Sequence, residues 1–276
     1  MKKYLWLTGF VLLIAGLYLF SNIMVGMVYG FYLGVVMEAE EGVSVEPAVI
    51  EETIMQHNML ISLIGALLAL VFLWVVFVVK NSFSDKQESI FSYCRLKKTP
   101  SMYIAVALLM GIGFSFFLNS MLALTQVERY FPEHQELMKQ LMHHPNILLS
   151  LLGVGLVVPL VEEIAFRGII FNRMREDLPL IAALFLQALV FGAIHLNYLQ
   201  SGYAFIGGIL LGLVYMWAGS LWVPLALHVG WNITSIIVIQ VVEPEVTMVY
   251  ILSTFLIGLV LVVAGIIFYK RRLILK

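Results

Sequence analysis

Residues 147–171 read ILLSLLGVGLVVPLVEEIAFRGIIF, an apolar run that is interrupted by Glu162, Glu163 and Arg167. The run exceeds the ~20 apolar residues that a helix needs to cross a bilayer. A charged side chain at the centre of such a helix costs roughly 2.5–3.5 kcal/mol even on lenient insertion scales. Ionisable residues in membrane spans usually face an interior cavity and have a functional role. The run therefore predicts a membrane helix that carries part of a functional site.

The composition of the whole chain indicates an integral membrane protein built from helices. Hydrophobic residues make up 62% of the 276 residues and charged residues only 12%, whereas soluble domains are about 45–50% apolar and about 25% charged. The apolar runs are continuous rather than alternating with a period of two, which is typical of helices and not of strands. The net charge of −1 gives no basic footprint for nucleic acid. We therefore predict an all-α, polytopic membrane bundle.

Eight segments are apolar and long enough to be membrane spans. They are residues 4–37, 58–79, 102–124, 147–173, 179–197, 203–219, 221–241 and 247–269. The first segment continues to about Met37, well beyond the roughly 7–15 apolar residues of a signal peptide. We interpret it as a retained membrane anchor.

The basic residues predict which ends of the spans face the cytoplasm, because Lys and Arg concentrate in cytoplasmic loops. If the N-terminus is cytoplasmic, the inner segments hold Lys2, Lys3, Lys80, Lys86, Arg95, Lys97, Lys98, Arg173, Arg175, Lys270, Arg271, Arg272 and Lys276. The outer loops then hold only Arg129 and Lys139. Both termini are therefore predicted to be cytoplasmic. The single cysteine, Cys94, lies in one of the inner loops; it cannot form an intrachain disulfide, and we interpret it as incidental.

Six polar side chains inside the predicted spans are the candidates for a functional site, and helical geometry sorts those of the fourth span. They are Glu162, Glu163, Arg167, His195, His228 and Asn232. Residues four apart lie on the same face of a helix, whereas neighbours point about 100° apart. Glu163 can therefore pair with Arg167 in a supporting role, while Glu162 points elsewhere and stays free to face another helix.

The same geometry groups the residues of two other spans. His228 and Asn232 are four apart and share a face, and Phe191 precedes His195 by the same spacing, which puts an aromatic ring under the imidazole. At about 1.5 Å per residue, these polar groups and Glu162 come to similar depths in the membrane. We therefore expect three helices to converge on one polar pocket. The alternative for each residue alone is a structural hydrogen bond between helices.

A glutamate beside a histidine can activate a water molecule, because the carboxylate accepts a proton while the imidazole orients the water. His228 and Asn232 can donate hydrogen bonds to the oxyanion of a tetrahedral intermediate. A base, a water and an oxyanion site together indicate a peptide-bond hydrolase. No G-x-S-x-G nucleophile motif is present in the sequence.

A metal-dependent reaction is the other possibility that the sequence leaves open. Glu162, His195 and His228 would supply the two imidazoles and one carboxylate of a catalytic zinc site. The H-E-x-x-H signature is absent from the sequence, so the local spacing does not indicate zinc. Metal-dependent and metal-free hydrolysis both remain open.

Three motifs carry a resemblance to a known family. Residues 162–168, EEIAFRG, resemble the E-E-x-x-x-R motif of the CPBP family, which is named for CAAX proteases and bacteriocin-processing enzymes. Residues 191–195, FGAIH, resemble its F-x-x-x-H motif, and residues 228–232, HVGWN, resemble its H-x-x-x-N/D motif. The motifs occur in the family's order, each on its own predicted span. The resemblance covers roughly residues 147–240, about a third of the chain.

This resemblance implies an intramembrane endopeptidase of the type II CAAX prenyl endopeptidase kind. Glu162 and His195 would activate the water, and His228 and Asn232 would stabilise the oxyanion. Members of the family are commonly labelled metalloproteases, although a glutamate-based mechanism without metal has been argued for the fold. The expected substrate is a peptide or a membrane-associated protein, and the expected location is the cell membrane.

The resemblance also divides the chain into three regions. Residues 147–240 would form the catalytic membrane core, residues 1–124 would hold N-terminal helices of unassigned role, and residues 247–276 would hold the last helix and a basic tail. Two other functions remain as alternatives. One is a non-catalytic scaffold or bacteriocin-immunity protein on the same fold. The other is a proton-coupled carrier, because buried Glu and His can form proton relays.

Overall fold

The protein is a bundle of helices, as its sequence predicts. The structure is a computed structural model and describes residues 2–41, 46–83, 87–142, 146–241 and 247–274. Within these ranges the chain forms helices and turns but no strand. The helices are α1 (Lys2–Glu41), α2 (Pro47–Gln56), α3 (Asn58–Ser82), α4 (Ile90–Tyr93), α5 (Ser101–Thr125), α6 (Pro132–Met142), α7 (Ile147–Asp177), α8 (Leu180–Ala193), α9 (Tyr198–Ala218), α10 (Trp222–Val241) and α11 (Met248–Ile274).

Seven of the described helices are long and apolar enough to cross a membrane, namely α1, α3, α5, α7, α9, α10 and α11. Seven of the eight predicted spans therefore correspond to such helices. The fifth prediction, residues 179–197, was too long, because α8 has 14 residues and reaches only about 21 Å. Leu196 adopts a left-handed backbone conformation with φ 54°, and the Asn197 side chain caps the start of α9 by accepting from Gln200 N–H. Helix α8 ends before this turn, so His195 lies just beyond a helix rather than within one.

Helix α7 occupies the centre of the bundle, where it packs against α1, α3, α8, α9 and α10. On one side of it, α5 joins α10 and α11. The contact between α5 and α10 is close because a Cβ atom at Gly111 would overlap the carbonyl oxygen of Leu227. Small residues allow this kind of approach between membrane helices. Helix α7 is thus enclosed on several faces, which explains how it can carry charged residues.

Several segments lie together at one end of the bundle, and the positions of the basic residues predict that these segments are on the same side of the membrane. Lys3 at the start of α1 forms an ion pair with Asp177 at the end of α7, at 2.9 Å. The loop that follows α4 is hydrogen-bonded to the turn after α9. The N–H of Leu221 donates to the carbonyl of Arg95 at 3.1 Å. This grouping is consistent with the predicted topology, while the cytoplasmic orientation itself stays a prediction. Lys86 and Lys276, which also enter that prediction, lie outside the described residues.

Cys94 is not an incidental loop residue, contrary to the interpretation from sequence. Its side chain is fully buried, and its Sγ atom would lie 2.6 Å from a Cβ atom built at Gly168. Gly168 is the last residue of the EEIAFRG motif. The loop containing Cys94 therefore packs directly on α7, at the residue that follows Arg167 and about one helical turn beyond Glu163. The polar and basic neighbours of Cys94 concealed this contact at the level of sequence.

Candidate active site

The backbone of α7 departs from regular α-helical geometry at two places next to the glutamates. Residues Gly153–Val157 and Glu163–Phe171 are π-helical. Such wider turns are frequent at functional sites. In the first stretch Val158 N–H donates to the Gly153 carbonyl, and Pro159 has no N–H to donate. The carbonyl of Val154 therefore lacks its α-helical donor at Val158 and a π-helical donor at position 159, and becomes available to another helix.

Asn232 on α10 uses this carbonyl. Its side-chain Nδ2 donates to the Val154 oxygen at 2.9 Å. An amide nitrogen carries two hydrogens, so one remains for a second acceptor. The Pro159 interruption of α7 therefore fixes the orientation of Asn232, a connection that spacing within the sequence does not reveal.

Glu162 is buried, and its two carboxylate oxygens have different surroundings. Oε1 accepts a hydrogen bond of 2.6 Å from the hydroxyl of Tyr18 on α1. Oε2 lies 3.6 Å from Nε2 of His228 on α10. Glu162 therefore faces α1 and α10, whereas the sequence predicted that it could face another helix without identifying which one.

Glu163 and Arg167 form the predicted pair, with Nη1 of Arg167 donating to Oε1 of Glu163 at 2.8 Å. Both side chains are completely buried. The same carboxylate oxygen lies 2.9 Å from Nδ1 of His228. Because a carboxylate only accepts, Nδ1 of His228 donates to it. Glu163 thus supports His228 as well as Arg167, a second role that the sequence did not predict.

Phe191 on α8 lies at the centre of this cluster. The guanidinium of Arg167 stacks over its ring at 4.3 Å. The rings of His195 and His228 meet it edge-on, with centroids 5.1 and 5.8 Å away. The Gly192 backbone beside it touches the next helix, since a Cβ atom there would lie 2.6 Å from the carbonyl oxygen of Ser201. The expected aromatic support beneath His195 is therefore present.

His195 is held in one tautomer by the backbone. Its Nδ1 lies 2.8 Å from the carbonyl oxygen of Phe191, which can only accept, so Nδ1 carries a hydrogen. In the neutral imidazole, Nε2 then has a free lone pair. That nitrogen can accept a hydrogen bond from a water molecule.

A single cavity of about 690 Å³ brings the candidate residues of the three motifs together. Glu162, His195, His228 and Asn232 all line it, so the predicted convergence of three elements on one pocket is observed. Glu163 and Arg167 lie behind the wall of this cavity, which fits supporting roles. The volume is within the usual range for a site that binds a small ligand or peptide segment.

Several cavity residues come from parts of the chain to which the sequence assigned no role. Tyr18 is one, and the short helix α6 contributes His134. His134 Nε2 lies 3.3 Å from the hydroxyl of Tyr203 on α9, and its Nδ1 lies 3.4 Å from Glu128. Helix α6 and the turn before it therefore form one wall of the cavity. An aromatic or polar residue in these segments gives no periodic signal that would identify its distant partner.

The donor set does not fit a three-ligand metal site. Among the residues that the structure describes, no three His, Cys, Asp or Glu side chains are grouped so that they can hold a metal ion. Tyr18 bonds Oε1 of Glu162 and Glu163 bonds Nδ1 of His228, so Oε2 and Nε2 are the atoms of these two residues that remain on the cavity side. The zinc alternative, with Glu162, His195 and His228 as ligands, gains no geometric support. The chemistry below is therefore derived from the side chains.

Comparison with known proteins agrees with the three motifs. Residues 144–234 match the Type II CAAX prenyl endopeptidase Rce1-like family, and this range contains all the motif residues. The chain is also similar to the uncharacterized protein YpbD of Bacillus subtilis (strain 168), with 29% identity over 124 residues. That alignment covers 42% of this chain and 61% of the relative, which is less than two thirds of the relative's length. No solved structure matches the chain.

Proposed function

We propose that this chain, whose residues 144–234 belong to the Rce1-like family of type II CAAX prenyl endopeptidases, hydrolyses a peptide bond within a membrane. The family supports protease activity in general. The proposal adds the residues, the mechanism and the class of substrate, which is a peptide or a membrane-associated protein. It also adds the cell membrane as the location.

The first step is attack by a water molecule that lies between Glu162 and His195. Glu162 removes one proton from the water as a new bond forms between the water oxygen and the scissile carbonyl carbon. Nε2 of His195 accepts the other hydrogen of the water in a hydrogen bond and so orients the attacking lone pair. The carbonyl π electrons move to the oxygen, which becomes an oxyanion.

The oxyanion is stabilised by hydrogen bonds from α10. The amide of Asn232 has one hydrogen left after its bond to Val154, and this hydrogen is the first donor. Nε2 of His228 is the second donor, which requires the imidazolium form because Nδ1 already donates to Glu163. The bond from Nδ1 to Glu163 holds the imidazole so that Nε2 is the nitrogen on the cavity side. The intermediate then collapses, the C–N bond breaks, and the proton on Glu162 passes to the leaving amine.

One observation carries the proposal: the single cavity contains the candidate base, its partner histidine and both oxyanion donors. These residues are up to 70 positions apart in the sequence, from Glu162 to Asn232. Polar groups that served only to join helices would be expected as separate pairs. Because all four side chains line one cavity inside an apolar bundle, a catalytic role is favoured over a purely structural one.

The test is cleavage of a peptide library by the purified protein in lipid vesicles. Glu162→Gln keeps the shape of the side chain but cannot accept the proton, so product formation should fall at least 1,000-fold. His195→Ala should also abolish detectable cleavage. The matched control is Glu133→Gln, the same chemical change at an exposed position of α6. Full activity in Glu162→Gln would refute the proposal.

A non-catalytic scaffold or immunity protein would give a different result. Wild-type protein would then yield no product, and the Glu162→Gln and His195→Ala variants would retain the cellular phenotype at unchanged protein level. A loss of phenotype in Glu162→Gln, with normal abundance, would instead support catalysis.

A further inference from the structure

Helix α1 lies outside the part of the chain that matches the protease family, yet it contacts the candidate base directly. Two described polar contacts join it to α7. Near one end of the bundle, Lys3 pairs with Asp177 at 2.9 Å. Deeper in the bundle, the Tyr18 hydroxyl donates to Glu162 at 2.6 Å.

These two contacts are in register. On α1 they are 15 residues apart, from Lys3 to Tyr18, and on α7 they are also 15 residues apart, from Glu162 to Asp177. On α1, a regular helix, this interval spans about 22 Å at 1.5 Å per residue. The helices run in opposite directions, so both contacts form in a single alignment. A shift of one turn would break both.

The surroundings of Tyr18 leave its hydroxyl one clear partner. The side chain is buried, and its ring packs edge-on against Phe166 with centroids 6.2 Å apart. The hydroxyl must donate, because an ionised carboxylate only accepts. This donation occupies Oε1 of Glu162 and leaves Oε2 on the side of His228, whose Nε2 is 3.6 Å away.

We infer that Tyr18 is a positioning residue of the proposed protease. Its hydroxyl fixes the rotation of the Glu162 carboxylate so that Oε2 faces the water. The inference rests on the proposed function and extends it, because it makes α1 a necessary part of the active site. A base held in one orientation meets the water without first losing rotational freedom, which is the usual benefit of a supporting hydrogen bond.

The test is Tyr18→Phe, which removes one oxygen atom and retains the ring contact with Phe166. We expect kcat to fall about 10-fold, the effect of one hydrogen bond to a charged group, while KM changes less than about twofold. The matched control is Tyr29→Phe on the same helix, where the ring packs against Tyr32 and His57. Its kcat should equal that of the wild type.

A double-mutant cycle distinguishes positioning from a general structural role. In Glu162→Asp the carboxylate is one methylene shorter and no longer reaches the Tyr18 hydroxyl. Adding Tyr18→Phe to that background should therefore change kcat by less than about twofold. Thermal unfolding of each variant establishes that the proteins are folded at the assay temperature.

The outcomes separate this inference from the function on which it rests. An unchanged kcat in folded Tyr18→Phe, or an equal loss in the Glu162→Asp background, would overturn the positioning role while Glu162→Gln still abolished cleavage. Full activity in Glu162→Gln would overturn the proposed function itself. A loss of kcat in Tyr18→Phe that vanishes in the Glu162→Asp background supports both.

Discussion

Nδ1 of His228 lies 2.9 Å from Oε1 of Glu163, and this contact joins α10 to α7 at the candidate active site. The same oxygen accepts from Arg167 at 2.8 Å. One buried carboxylate therefore has a guanidinium on its own helix and an imidazole on another. Glu163 neutralises Arg167 and also determines which nitrogen of His228 is available to the cavity.

The first prediction separates these two functions of Glu163. Glu163→Gln should lower the free energy of unfolding by about 3–5 kcal/mol, because it leaves Arg167 buried without a counter-ion. Replacing Arg167 as well, in Glu163→Gln/Arg167→Met, removes the uncompensated charge and should recover most of that loss. Thermal or denaturant unfolding of the three proteins in the same detergent measures the effect.

Peptide cleavage should not recover with stability. In the double variant an amide replaces the carboxylate that accepts from Nδ1 of His228, so the charged partner that orients this imidazole is lost. Activity should therefore stay at least 100-fold below wild type. A double variant that regained both stability and cleavage would mean that Glu163 serves only as the partner of Arg167.

The second prediction concerns Asn232 and the irregular backbone of α7. Asn232→Ala removes an oxyanion donor and should lower kcat by about 100- to 1,000-fold. It also removes the bond to Val154 at 2.9 Å, worth about 1 kcal/mol of stability. Steady-state kinetics measure the change in kcat, and unfolding of the same samples measures the change in stability.

Pro159→Ala provides a test of the backbone origin of this contact. It returns an N–H to α7, so the Val154 carbonyl regains a donor within its own helix. We expect a smaller loss of kcat, about 10-fold, because Asn232 then competes for that oxygen. No change in kcat would contradict the view that Pro159 keeps the Val154 carbonyl available.

The sequence predicts the helical bundle and the members of the site because both depend on local periodicity. Long apolar runs predict the spans, and the spacing of four predicts the pair of Glu163 and Arg167. The span at residues 179–197 was predicted too long because apolar residues continue beyond Ala193 to Ile194 and Leu196, and only the cap at Asn197 marks where the next helix begins. A hydropathy pattern does not show the side-chain cap that begins a helix.

Contacts between distant helices escape sequence reasoning for a different reason. The Tyr18 hydroxyl reaches Glu162 across 144 positions, and a tyrosine in an apolar span has no spacing that indicates its partner. Cys94 is similar, because its loop is polar while its side chain packs on Gly168. Such contacts depend on the register between helices, which one sequence does not contain.

The third prediction is that cleavage does not require a metal ion. The described His, Cys, Asp and Glu side chains include no group of three arranged to hold one. After dialysis against a chelator, and assay in the presence of the chelator, kcat should stay within about twofold of the untreated value, since the water is activated by Glu162 itself. Loss of activity that zinc restores would contradict the mechanism derived from side chains alone.

The fourth prediction uses the burial of Cys94, which raises the pKa of its thiol to about 12. The thiolate is the nucleophile, so at pH 8.5 the folded protein should hold on the order of a thousandfold less of it than an exposed cysteine with a pKa near 8.5. Raising the pH from 7 to 9 should leave maleimide labelling of the folded protein slow. Unfolding the protein in detergent should make labelling fast and pH-dependent.

The control for this measurement is a cysteine two residues away. Ser92 is exposed, so Ser92→Cys in a Cys94→Ser background should label rapidly without unfolding, and its rate should rise with pH around 8.5. The chain has one cysteine, so the labelled fraction reports Cys94 alone in the wild type. Equal rates for the two folded proteins would mean that Cys94 is accessible, and the packing of its loop on Gly168 would then be wrong. Slow labelling of Cys94 beside fast labelling at position 92 would support the contact that joins this loop to the EEIAFRG motif.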